Sequence, residues 1–134
     1  MTVSQPRRRL LVVDDHETVC AGLARQLRRL YDVDTRSSAT DALALIREGA
    51  KYDLILCDLV MPGMSGLDLL DAVEAEAPNV AKRIALMSAS ETAGDPERFR
   101  RKGVVFLYKP FSAYLLMTIV GELLSRADQA TPNP

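Results

Sequence analysis

The sequence carries almost no excess charge: 17 basic residues stand against 18 acidic ones, a net −1 over 134 residues. A nucleic-acid binder ordinarily shows a strong basic excess, so direct nucleic-acid binding is not expected. Cysteine is scarce. Cys20 and Cys57 are too few for a disulfide framework and sit in apolar contexts, so they read as reduced thiols in a cytoplasmic protein. Long apolar runs are missing as well. Leu10 to Val13 follows the polar start Met1–Arg9 and is too short for a signal-peptide core. The richest stretch, Ala113 to Leu124, is broken by Thr118, Gly121 and Glu122 and is too short to span a bilayer, so no membrane partner is expected. Repeats and low-complexity tracts are absent. What remains, at 48% hydrophobic and 26% charged, is the composition of one folded domain with a continuous core.

Short apolar runs alternate with helical periodicity. Leu10–Val13, Asp53–Asp58, Ile84–Met87 and Val104–Tyr108 predict strands, and Tyr31–Arg36, with weaker alternation, an edge strand. An unbroken apolar run fits a strand buried on both faces. Val19, Leu23, Leu27 and Leu30 mark a first helix stripe. Ser38 with Asp41 opens a second helix, carrying Ala42, Leu43 and Ile46, which Gly49 ends. Leu67, Leu70 and Val73 mark a third, which Pro78 terminates, and the segment from Glu91 to Pro96 reads as loop before a short basic helix at about 96–102. A last helix runs from Ser112 to about Arg126. Five βα units in succession predict an α/β fold, a doubly wound five-stranded parallel sheet with right-handed crossovers. The expected boundaries are a flexible start at 1–8, one domain at 9–126 and a disordered tail or linker at 127–134.

Such a sheet carries its site at the carboxyl ends of its strands. The first strand ends in Asp14-Asp15 and the third in Asp58. Either of the first two alone could simply cap the following helix. All three at one crevice repel one another and call for a hard cation with oxygen ligands, for which Mg²⁺ is suited. Ser88 ends the fourth strand and Lys109 the fifth, adding a hydroxyl and an ammonium. The combination suits the handling of a phosphoryl group. His16 reads as a solvated loop residue, and Arg25, Arg28 and Arg29 as a solvated basic face. A nucleotide or flavin module would want a glycine-rich loop where Asp14-Asp15-His16-Glu17 stands. A metal-dependent phosphatase would need a substrate cap, for which 134 residues leave no room.

The segments Val12-Val13-Asp14-Asp15, Asp58 to Gly66, Leu86-Met87-Ser88-Ala89 and Lys109-Pro110-Phe111 together resemble a receiver domain of two-component response regulators, of the chemotaxis-regulator type. The resemblance implies a flavodoxin-like (βα)5 sheet of order 2-1-3-4-5. It implies that Asp58 accepts a phosphoryl group from a histidine kinase or phosphotransfer protein in a Mg²⁺-dependent reaction. Asp15, Asp58 and the Val60 carbonyl would hold the ion, with Asp14 acting through a water. Lys109 would pair with Asp58 at rest and with the phosphoryl group afterwards. Ser88 and Phe106 would be the switch residues, changing the face built by the fourth and fifth strands and their helices. Such a domain catalyses only its own phosphorylation and dephosphorylation. The intact set Asp14, Asp15, Asp58, Ser88 and Lys109 argues against a degenerate scaffold.

Three departures from the family pattern matter. Phe106 lacks a hydroxyl. Val60 has no polar side chain to orient an attacking water, which predicts slow dephosphorylation. The last helix is apolar round most of its circumference. Ala113, Leu116, Met117, Val120 and Leu124 supply its inward stripe, leaving Tyr114, Leu115 and Ile119 as an expected surface for a homodimer or an output domain. A stand-alone regulator and the receiver of a hybrid sensor kinase both fit.

Overall fold

The computed structural model describes residues 7–88, 105–109 and 112–130. Strands β1 (Arg9–Val13), β2 (Asp32–Arg36), β3 (Leu54–Asp58), β4 (Ile84–Ser88) and β5 (Val105–Tyr108) form one parallel sheet in the order β2-β1-β3-β4-β5. The helices are α1 (Glu17–Leu27), α2 (Ala39–Arg47), α3 (Gly66–Glu76), α4 (Pro78–Ala81) and α5 (Ala113–Ala130). The expected helix at about 96–102, together with Ala89, Ser90, Val104, Pro110 and Phe111, lies outside the described residues.

Strand alternation divides the core into two layers. Leu11, Val13, Ile55, Cys57, Ile84 and Leu86 face α2, α3 and α4. Leu10, Val12, Leu54, Leu56, Ala85 and Met87 face α1 and α5. Both faces are covered, so β3 and β4 are buried along their whole length. The edge strands β2 and β5 are more exposed.

Several local details differ from the sequence reading. The inward stripe of α1 is Cys20, Ala24 and Leu27, whereas Val19 and Leu30 are exposed. Small Cys20 and Ala24 side chains face the sheet and let the helix axis approach it, and Leu30 falls beyond the helix end. Pro78 opens α4 at its first position as well as closing α3. The reciprocal capping box sits at Ser65 and Asp68, on the N-terminus of α3. At Ser38 only the Asp41 N–H to Ser38 Oγ bond of 3.1 Å is formed. Gly49, at φ +96°, closes α2 in a Schellman arrangement: its N–H donates to Ile46 and that of Ala50 to Leu45.

At the ends, Arg7 donates to the carbonyls of Arg28 and Tyr31, and Arg8 to Asp53 at 3.3 Å, so these two residues are tied to the domain. Helix α5 continues through Ala130, into the segment expected as tail. Its buried stripe is Leu116, Val120 and Leu124; Ala113 is exposed, and Ile119 is half-buried against the core.

Near the amino ends of the strands, Tyr52 donates its hydroxyl to Asp34 at 2.7 Å. Burial and the neighbouring carboxylate lift the Tyr52 phenol to about 12. A raised folded-state pKa means its contribution to stability is intact below the free phenol value near 10 and is lost as pH rises through about 12. The same bond holds Asp34 below its usual value, so the Asp34 contribution is lost as pH falls through the carboxylate range. An ultraviolet phenolate titration is expected to show one of the four tyrosines ionising late. Tyr52→Phe should remove that step and lower stability by about 1 kcal/mol, because Arg9 still pairs with Asp34.

Candidate functional site

The sheet ladder delivers the polar residues to one mouth. The Asp14 N–H donates to Arg36 at 3.1 Å, just past β1, and the Leu59 N–H to Met87 at 2.7 Å, just past β3. The Lys109 N–H donates to the Ser88 carbonyl at 2.7 Å, just past β5. Neighbouring β1 and β3 therefore end side by side, with Asp14 and Asp58 in the same parity as the residues that face α1 and α5.

Lys109 Nζ lies 2.8 Å from Asp14 Oδ2 and 3.2 Å from Asp58 Oδ1. It thus bridges both carboxylates and sits nearer Asp14, where pairing with Asp58 was the expectation. All three groups are largely withdrawn from solvent. Burial pushes the Asp58 carboxyl above its ordinary value; the Lys109 charge opposes this, and the Asp14 and Asp15 charges add to it. Burial works against the Lys109 ammonium, yet the Asp14 hydrogen bond and the charges of Asp58 and Asp14 outweigh it and raise its pKa. The arrangement sets two carboxylates beside a fixed cation in a partly dry cleft.

Helix capping does not account for the acidic pair. The N-cap of α1 is His16, whose side chain makes no capping hydrogen bond. Asp14 Oδ1 instead accepts the His16 N–H at 3.0 Å. The ring Nδ1 of His16 lies 3.3 Å from Asp14 Oδ1 and 3.3 Å from Asp15 Oδ1. The solvated loop histidine of the sequence reading is therefore a member of the cluster. Its only signal was adjacency to the acidic pair.

Ligand atoms of Asp14, Asp15, His16 and Asp58 all lie within 4.8 Å of one another. Asp15 Oδ1 is buried and accepts no hydrogen bond among the described residues. An orphaned carboxylate oxygen facing other carboxylates fits a divalent cation, which would satisfy it and offset the repulsion.

Ser88 is buried at the end of β4. Phe106, on β5, packs half-buried against the layer that faces α2, α3 and α4, edge-on to Tyr108 with ring centres 4.9 Å apart. Val60 is exposed after β3. Of the expected surface on α5, Tyr114 and Leu115 are exposed, while Ile119 packs partly inward. Both cysteines are buried free thiols whose pKa burial raises. No helix among the described residues is long and apolar enough to cross a membrane.

Gly66 opens α3 directly beneath the site. A Cβ placed there would lie 2.4 Å from the Asp58 carbonyl oxygen and 3.1 Å from the Leu59 Cα. Only glycine lets α3 approach this closely.

The family model for the response regulator receiver domain matches residues 10–121. The transcriptional regulator NtrC of a Bradyrhizobium species is 30% identical over 131 residues, covering 96% of this chain and 27% of its own length. The sensor kinase CckA of Brucella abortus is 34% identical over 121 residues, covering 89% of this chain and 13% of its own length. Among solved structures, the signal receiver domain of a Vibrio parahaemolyticus protein described as a LuxO repressor superposes with a TM-score of 0.78. It is 30% identical, with 92% of this chain and 94% of that one covered.

Proposed function

The chain belongs to the response regulator receiver domain family, and from that premise we propose that it is a phosphoacceptor switch whose acceptor is Asp58. The observation that carries the proposal is the Lys109 bridge, with Nζ 2.8 Å from Asp14 and 3.2 Å from Asp58 at the mouth shared by β1, β3 and β5. The donor is a phosphohistidine on a kinase or phosphotransfer protein, or a small acyl phosphate. An Asp58 carboxylate oxygen attacks phosphorus; the P–N bond breaks and the imidazole leaves with the electron pair. For an acyl phosphate the P–O bond breaks and the carboxylate leaves. A Mg²⁺ ion held by Asp15, Asp58 and the Val60 carbonyl, with Asp14 acting through a water, would neutralise charge on the phosphoryl oxygens.

Lys109 then pairs with the phosphoryl oxygens, and the Ser88 hydroxyl donates to them. The added charge, about −1.5 to −2, favours a new arrangement around Ser88 and an inward turn of Phe106. Partners read that change on the face formed by β4, β5 and α5. The chain turns over no external substrate. Wild type incubated with acetyl phosphate and Mg²⁺ should gain one phosphoryl group by intact mass, and Asp58→Asn none. A gain in both would contradict the assignment.

The lifetime of the phosphoryl group follows from Val60. Its side chain is exposed and offers no hydrogen-bonding atom to orient a water. Slow dephosphorylation is expected once donor is removed. A half-life of seconds would count against this reading.

A further inference from the structure

We propose that His16 is a nitrogen ligand of the divalent-ion site, which gives this chain a preference for first-row transition ions that its carboxylates alone would not supply. The inference rests on the reading of Asp14, Asp15 and Asp58 as an ion site. Its support is the spacing. Donor atoms about 2.1 Å from one ion lie about 3.0 Å apart at a right angle and about 3.4 Å apart at the tetrahedral angle. The His16 Nδ1 stands 3.3 Å from Asp15 Oδ1, within that window; its 3.3 Å approach to Asp14 Oδ1 is a hydrogen bond of the ring.

Toward Asp15 the contact is not a hydrogen bond, because Asp15 Oδ1 has no hydrogen-bond partner among the described residues. A cation between the two would satisfy the oxygen and use the ring nitrogen at once. The backbone that carries the ring is also held in place. The His16 N–H donates to Asp14 Oδ1 at 3.0 Å, while Lys109 occupies the other oxygen, Oδ2, at 2.8 Å. The imidazole itself is 67% exposed, so an ion can enter past it with a small rotation of the ring.

Mg²⁺ takes oxygen ligands and gives up its waters reluctantly, so an imidazole adds little to its binding. Zn²⁺ and its neighbours bind imidazole well. The discriminating quantity is therefore the effect of His16 on each ion, rather than the absolute order of affinities.

The test is calorimetric titration of Zn²⁺ and, separately, Mg²⁺ into wild type, His16→Ala and Asp15→Asn. His16→Ala is expected to weaken Zn²⁺ about 10-fold or more while changing Mg²⁺ less than about twofold. Asp15→Asn should weaken both ions. A second readout needs no assignment, since His16 is the only histidine in the chain. Its Nδ1 resonance in a ¹⁵N imidazole spectrum should move on adding Zn²⁺ and stay in place with Mg²⁺. Equal effects of His16→Ala on the two ions, or an unmoved ring resonance under Zn²⁺, would overturn the proposal while leaving the carboxylate site intact. Binding of neither ion, or binding indifferent to Asp15→Asn, would overturn the ion-site reading and this inference with it.

Discussion

Gly66→Ala is expected to destabilise the fold by about 2–4 kcal/mol and to slow phosphorylation of Asp58 about 100-fold. The added methyl would lie 2.4 Å from the Asp58 carbonyl oxygen, 3.1 Å from the Asp58 carbonyl carbon and 3.1 Å from the Leu59 Cα. All three are backbone atoms, so no flexible side chain can yield. Either α3 lifts, taking Leu67, Leu69 and Leu70 out of the core, or the end of β3 shifts and carries the Asp58 carboxylate with it. Gly22→Ala is the contrasting substitution. It lies within α1 with nothing within 4 Å of the added carbon, and alanine there should stabilise by roughly 0.5–1 kcal/mol. Denaturant unfolding of the two variants, with phosphorylation rates for Gly66→Ala, checks both halves.

Lys109→Met carries the second large effect. Methionine keeps most of the side-chain volume and removes the ammonium that lies 2.8 Å from Asp14 and 3.2 Å from Asp58. Removing one partner of a buried ion pair costs about 3–5 kcal/mol, since the other charge stays buried and unpaired. Proton uptake by one carboxyl relieves part of this, so a loss of about 2–4 kcal/mol is expected, with phosphorylation strongly reduced. Lys82→Met, at an exposed position, should change stability by less than about 0.5 kcal/mol. Equal stability of the two variants would remove the Lys109 bridge from the account.

How much of this was legible in the sequence depends on how each feature is encoded. Central strands buried on both faces must be apolar throughout, so β3 and β4 stand out as unbroken runs. The crevice was legible because aspartates stand just past the end of β1 and at the end of β3, and the order β2-β1-β3-β4-β5 makes those strands neighbours. The face of α1 was misread because its inward positions include Cys20 and Ala24, which carry less hydrophobic signal than Val19 and Leu30. Ile119 misled in the opposite direction: the apolar arc of α5 is wide enough for it to pack partly inward. Neither the preference of Lys109 for Asp14 nor the placement of His16 follows from residue spacing. Both depend on side-chain directions within a cluster a few ångströms across. The demand for glycine at position 66 is a backbone contact between two elements, which no local pattern records.

The central claim is that one carboxylate, that of Asp58, takes the phosphoryl group. Borohydride reduction of the acetyl-phosphate-treated protein, followed by peptide sequencing by mass, tests it directly, because an aspartyl phosphate is reduced to homoserine where it stands. The account predicts homoserine at position 58 alone, dependent on the phosphodonor and abolished by chelator. Homoserine at position 14 or 15, or none in a protein that has gained phosphoryl mass, would contradict it.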